Sequence, residues 1–185
     1  MSKPDDVQKA FAHFRTELGK PDILLNNAGY DELVPIEKMT VEQWNRMIAV
    51  HLTATFLCTQ QVIADMKAAG WGRIINFSSQ LSHKGQEEMS HYCAAKGAVN
   101  AFTKSLAYEL GQSGVLANCI NPGPIRTPLL ETLGAEWIAY KQSQLPINRI
   151  GLISEVVPSV LLLASEDGGF YQGATLNMNG GDYMI

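Results

Sequence analysis

Apolar residues along the chain switch between helical and strand-like spacing, and each switch marks an element. Val7, Ala10, Phe11, Phe14 and Leu18 recur at intervals of three and four, which predicts a helix over Val7–Leu18 with one apolar face. Gly19, followed by Pro21, stops it. Asp22 to Asn26 is a short apolar strand ended by Asn26-Asn27-Ala28-Gly29. Thr40-Val41-Glu42-Gln43 has the form of a capping box and predicts a helix continuing towards Met66. From Met47 to Leu57 this helix is apolar on more than one face, so it needs cover on two sides. Gly72 to Ser78 is a second strand, and Ser90 to Leu110 a helix with Tyr92, Val99, Phe102, Leu106 and Leu110 along one stripe. Val115 to Ile120 is a third strand, halted by Asn121-Pro122-Gly123-Pro124. The stretch through Pro128 and Pro146 reads as irregular. Glu155 to Leu163 makes another helix, and Ala174 to Met178 the last strand, before Gly180-Gly181.

Strand and helix therefore alternate four times. The strands are continuous apolar runs instead of alternating ones, which is how a parallel sheet covered on both faces by helices is written in sequence. Right-handed crossovers should set the four strands side by side in chain order. The expected fold class is α/β.

Composition narrows the picture only modestly. A chain of 185 residues fits one domain, and 46% hydrophobic with 17% charged residues is the balance of a globular protein. A net charge of −4 gives no reason to expect nucleic-acid or anionic-membrane partners. Cys58, Cys93 and Cys119 lack metal-type spacing, so no metal site is expected and the thiols should be reduced. The charged first twenty residues are unlike a signal peptide, and no uninterrupted apolar run approaches the ~20 residues of a bilayer span. The expectation is a cytoplasmic domain with no membrane partner.

Chemistry enters with Tyr92-Cys93-Ala94-Ala95-Lys96. A tyrosine and a lysine four apart on a helix share one face. A free phenol titrates near 10, too high for efficient proton exchange at neutral pH. One ammonium near 4 Å contributes roughly 4 kcal/mol at an effective dielectric of ~20, enough to lower the phenol by about three pH units. Such a pair is equipped for general acid/base work. Upstream, Ser79 follows the second strand at the edge where open parallel sheets hold their ligands. Its hydroxyl is suited to hold a substrate oxygen while Tyr92 exchanges a proton with it. Asn26-Asn27-Ala28-Gly29 and Asn121-Pro122-Gly123 should open on that same edge.

In this order, Asn26-Asn27-Ala28-Gly29, Ser79, Tyr92-x-x-x-Lys96 and Asn121-Pro122-Gly123 to Thr127 resemble the motifs of the short-chain dehydrogenase/reductase family. The resemblance covers nearly the whole chain. It implies hydride exchange between NAD or NADP and a small-molecule carbonyl/alcohol pair. Ser79 would polarise the substrate oxygen, Tyr92 would be the acid/base, and Lys96 would lower the tyrosine and contact the nicotinamide ribose. Asn26, Ala28 and Gly29 would line the cofactor near its ribose, with Tyr92 and Lys96 beside them. Pro122, Gly123, Ile125 and Thr127 would lie against the carboxamide. The spacing of four between Tyr92 and Lys96 argues against the enoyl reductases of the superfamily. Among relatives, 3-oxoacyl-carrier-protein reductases and sugar or polyol dehydrogenases are the nearest in general character. The Leu129 to Arg149 loop, with Trp137, Tyr140 and Leu145 as apolar contacts, does not choose between them.

Two departures from the family pattern bear on function. His51 stands where the family usually has asparagine; it is either a tolerated polar substitution or part of an altered proton relay with a group able to titrate near neutrality. The glycine-rich turn TGxxxGxG that brings the pyrophosphate onto a helix terminus has no counterpart here. The expectation is thus a single partial Rossmann-fold domain over residues 1–185, its sheet truncated to about four strands with helices on both faces. Its first strand should form an exposed edge that needs cover from another chain. A homo-oligomer, dimer or tetramer, is expected. The alternative is a catalytically silent fragment that keeps the fold and interfaces but not the cofactor.

Overall fold

A computed structural model describes residues 3–184. Its sheet has four parallel strands in chain order: β1 (Ile23–Asn26), β2 (Gly72–Phe77), β3 (Val115–Pro122) and β4 (Thr175–Met178). Successive residues of β2 serve opposite layers. Ile74 packs with Val62, Met66, Leu106, Leu110, Val115 and Ala117, beneath the helices α3 (Ala54–Ala69) and α5 (Ser90–Leu110). Ile75 packs with Ile120, Val156 and Leu163 under α8 (Ile153–Ala164) on the other face. Both parities must be apolar, so no alternation survives in the sequence. All four strands end on one edge, and that edge carries every motif singled out above.

The long second helix forms in three parts. α2 (Val41–Ile48) starts at the expected capping box, with Gln43 N–H donating to Thr40 Oγ1 at 3.1 Å and Thr40 N–H donating to Gln43 Oε1 at 3.0 Å. A π-helical turn, Ala49–Thr53, then inserts an extra residue before α3. Such turns re-aim one side chain without ending the helix. Here the turn buries His51. By length and composition the continuous stretch Val41–Ala69 is apolar enough to cross a bilayer, which the interrupted apolar runs had not suggested. Val62 and Met66 are buried against the sheet instead, as in a core helix.

α1 (Pro4–Leu18) lies over α3, but it uses little of its apolar stripe. Val7 is buried with Leu57 and Cys58, whereas Phe14 and Leu18 are 39% and 74% exposed. β1 pairs only with β2 among the described residues, and Ile23 and Leu25 are 43% and 44% exposed. The expected open edge is therefore present.

The stretch read as irregular is largely helical: α6 (Pro128–Glu131) and α7 (Gly134–Gln144). Pro128 begins a helix because its fixed φ and missing N–H suit the first turn, and Thr127 caps it by accepting from Leu130 N–H at 3.3 Å. α7 escaped notice because only Ile138 of its residues is buried, so it carries no repeating stripe. Ile138 joins Leu145 and Ile150 in a small separate cluster, with Leu130 packed against it. A further short helix, α4 (Leu81–Lys84), follows Ser79 directly.

Candidate active site

Ser79 is held between two strands. Ser78 N–H donates to Ile120 O at 2.9 Å and Gln80 N–H to Pro122 O at 3.1 Å, so the chain leaving β2 stays bonded to β3. The α5 helix is tied to the same spot: Ser78 Oγ donates to Lys96 O at 2.7 Å and Lys96 Nζ to Phe77 O at 2.8 Å. Tyr92, one turn before Lys96, has its phenol close enough to the Ser79 hydroxyl to feel it, and the Lys96 ammonium lies 5.6 Å from the Tyr92 ring centre. Three residues separated in sequence thus meet at the carboxyl end of the central strands.

The electrostatics differ from the expectation. Lys96 does not pull the phenol down; burial pushes Tyr92 up to about 12, and the hydrogen bond with Ser79 only partly opposes it. Burial also pulls Lys96 down to about 8. The reason is that one desolvated pocket penalises both charged forms. The lysine also directs its recorded hydrogen bond at Phe77 O and not at the phenol. The chain's own groups therefore keep Tyr92 protonated at neutral pH and make it a weaker acid than a free phenol.

His51 completes the cluster from behind. It is 3% exposed, and its Nε2 lies 2.7 Å from Tyr30 O. Tyr30 N–H also points at Nε2, at 3.3 Å, but the shorter contact is to a carbonyl, which only accepts, so we assign the hydrogen to Nε2 and leave Nδ1 as a bare lone pair. Nδ1 is buried with no partner among the described residues, and the ring stands edge-on to Tyr92 at 5.3 Å between centres. Burial pushes His51 down to about 4, and the charge of Lys96 adds to this. His51 consequently stays neutral near pH 7, contrary to the expectation of titration there. The main-chain carbonyl of His51 is occupied by the Thr55 hydroxyl at 2.8 Å.

Gly29 is needed for this packing: a Cβ there would sit 2.5 Å from His51 Cε1 and 3.0 Å from Nδ1. Gly29→Ala should cost about 2 kcal/mol by overpacking. It should also shift the His51 ring signals in an NMR spectrum. An unchanged denaturation midpoint and unchanged ring shifts would show that the contact does not constrain the site.

The remaining expected cofactor residues gather on the same edge in different states. Ala28 and Gly29 are exposed at the mouth, next to the end of β1. Asn26 spends its side-chain amide on Asn76 Oδ1 at 2.8 Å and Thr59 at 3.3 Å, so it braces the sheet. Asn76 in turn donates to Thr103 at 2.9 Å, a buried polar chain that sequence spacing did not reveal. Pro122 ends β3, and Gly123 N–H donates to Met178 O at 3.0 Å. A Cβ at Gly123 would meet Asn179 Cα at 2.6 Å, which fixes this loop against the end of β4. Ile125 pairs with Gly151 and packs against the α8 cluster, and Thr127 Oγ1 is engaged in capping α6.

These residues suit a nicotinamide ribose on one count in particular. Lys96 Nζ has three donors and, among the described residues, one acceptor, Phe77 O, leaving two able to serve vicinal hydroxyls.

The family model that matches, over residues 1–182, is described as enoyl-(acyl carrier protein) reductase. An acetoacetyl-CoA reductase of Cupriavidus necator is 37% identical over 180 residues, covering 97% of this chain and 73% of that protein. A 3-oxoacyl-acyl-carrier-protein reductase of Vibrio cholerae is 34% identical over 185 residues, covering 100% and 76%. Among solved structures, a gluconate 5-dehydrogenase from Burkholderia cenocepacia in complex with NADP and tartrate superposes with a TM-score of 0.93. It is 31% identical, with 98% of this chain and 72% of that chain covered.

Proposed function

As the chain belongs to the short-chain dehydrogenase/reductase family, we propose that it is an NAD(P)-dependent oxidoreductase interconverting a ketone and a secondary alcohol, with Ser79, Tyr92 and Lys96 at the reacting centre. The observation that carries this is the convergence of those three side chains, two of them buried, at the carboxyl edge of the parallel sheet. The bound dinucleotide supplies or accepts the hydride. The chain's own residues do the rest. Ser79 Oγ orients the carbonyl oxygen, and Tyr92 Oη, protonated at neutral pH, donates its proton to that oxygen as it becomes an alkoxide. Lys96 would hold the ribose hydroxyls with its two remaining donors, while Ala28, Gly29, Pro122, Gly123, Ile125 and Thr127 would frame the nicotinamide end. Asn26 supports that frame through its bonds to β2 and α3. His51 Nδ1 remains a buried acceptor behind Lys96 and Tyr92.

A protonated Tyr92 is the form that carbonyl reduction consumes, and reduction is the direction we favour. The substrate class we favour is a 3-oxoacyl thioester, as in the two reductases above; a polyhydroxy acid, as in the gluconate dehydrogenase, is the alternative within the same chemistry. We place the protein in the cytoplasm as a homo-oligomer. Trp44 and Phe56 on the α2–α3 helix, Tyr108 on α5 and Leu161 on α8 support the latter as exposed apolar contacts (39%, 43%, 93% and 61%).

A second reading is a silent oligomeric partner that does not hold the dinucleotide. It is favoured by the open outer edge of β1 and the half-used apolar stripe of α1. Titration of NADH and NADPH against the chain, followed by nicotinamide fluorescence and then by turnover of acetoacetyl-CoA, separates the two. Saturable binding with turnover is the expected result. No binding at millimolar cofactor would overturn the enzyme reading for this chain and leave the silent one.

A further inference from the structure

The sequence ends in a motif that the reaction leaves unused, Gly180-Gly181 followed by Asp182. In the structure the Asp182 carboxylate is nearly buried, its side chain only 3% exposed. It accepts from three donors on two separate elements. Lys84 Nζ, at the end of α4, lies 2.6 Å from Oδ1. Lys141 Nζ, on α7, lies 2.6 Å from Oδ2. Gln80, the residue directly after Ser79, donates its side-chain amide to Oδ2.

The two glycines make this arrangement possible. Both adopt positive φ, +64° and +83°, which ordinary side chains rarely accept. A Cβ on Gly180 would press on Ile147 at 2.9 Å, and one on Gly181 on Pro146 at 2.8 Å. The turn therefore packs against the segment leaving α7 and aims Asp182 back towards α4. Asn179 tightens it, accepting from Gly181 N–H at 3.0 Å and donating to Tyr183 O at 2.6 Å. Tyr183 then stacks on His83 of α4, with ring planes 6° apart.

We propose that Asp182 is a positioning residue, a latch in which one buried carboxylate couples the overhanging α6–α7 segment to the α4 helix that follows Ser79. Burial works against ionising this carboxyl, but its bonds from Lys141 and Lys84 outweigh that and hold it below the usual range. The two ammoniums share one carboxylate, which makes the node asymmetric. When the α7 arm swings away and Lys141 leaves, Asp182 keeps Lys84 and Gln80, so no buried charge is stranded. Losing Asp182 itself strands the mostly buried Lys141, releases the more open Lys84 and frees Gln80 beside Ser79. The α6–α7 arm is thereby able to open for substrate while the serine side remains set.

The test compares two substitutions by hydrogen–deuterium exchange of the full chain, read on peptides covering residues 128–145 and 79–86. Lys141→Met should raise exchange about tenfold in 128–145 and leave 79–86 at the wild-type rate. Asp182→Asn should raise both, and Asp182→Glu, which keeps the charge, should restore 79–86 at least in part. The latch is overturned if Asp182→Asn leaves both segments unchanged, or if Lys141→Met loosens 79–86 as much as Asp182→Asn does. A kinetic arm rests on the reductase reading: Lys141→Met should raise KM for acetoacetyl-CoA severalfold at nearly constant kcat, whereas Asp182→Asn should lower kcat as well. Equal effects of the two substitutions on KM and kcat would also overturn it. Exchange needs no turnover, so failure of the reductase reading and failure of the latch are read separately.

Discussion

Tyr92→Phe should lower kcat for ketone reduction by about 10²- to 10⁴-fold, the range that one positioned acid/base contributes. The loss should fall on kcat and kcat/KM together, because the proton is needed in the transition state and not for binding. Phenylalanine fills the same space beside His51 and Ser79, so the fold should be unaffected. The pH behaviour is the sharper discriminator. With burial holding the Tyr92 phenol at about 12, the chain without cofactor should show no tyrosinate absorbance from this residue below about pH 11. A difference titration of wild type against Tyr92→Phe isolates it from the other tyrosines. An inflection below pH 9 that vanishes in the variant would mean that Lys96 lowers the phenol after all. That would remove the basis for favouring the reducing direction.

Much of this site was legible in the sequence, and what was not has specific physical causes. The strands were readable because a parallel sheet covered on both faces demands adjacent apolar residues, as at Ile74-Ile75, one for each face. The Tyr92–Lys96 pair was readable because a spacing of four on a helix is a geometric statement. The sign of its electrostatics was not. It depends on how deeply the pocket is desolvated, and no spacing encodes that. The α7 helix was hidden because it rests on one buried residue, Ile138, and its other apolar side chains face outwards. The Asp182 node was hidden for a different reason. It joins positions 80, 84, 141 and 182, and nothing local in the sequence sets those residues apart.

His51 offers the largest expected effect on stability. Its folded value of about 4 lies well below the ordinary 6.5, since burial and the charge of Lys96 both disfavour the imidazolium. Between those two values the unfolded chain binds a proton that the folded chain refuses, so stability must fall as pH drops from 6.5 towards 4. The full interval corresponds to about 3 kcal/mol. His51→Asn removes the titration and keeps a donor for Tyr30 O. From pH 7 to pH 4.5, wild type should therefore lose about 2–3 kcal/mol more than the variant in urea unfolding. Asp31, whose carboxyl is raised by burial, acts in the opposite direction but is present in both proteins and cancels in the difference. Lys96, depressed to about 8, changes stability only on the alkaline side and does not enter this window. Parallel losses in the two proteins would show that His51 takes up a proton as readily in the folded state as in the unfolded one. Its Nδ1 would then carry charge beside Lys96 at mildly acid pH. Only if the losses diverge is His51 confined to the role its hydrogen bonding implies, a neutral imidazole held by Tyr30 O behind the catalytic pair.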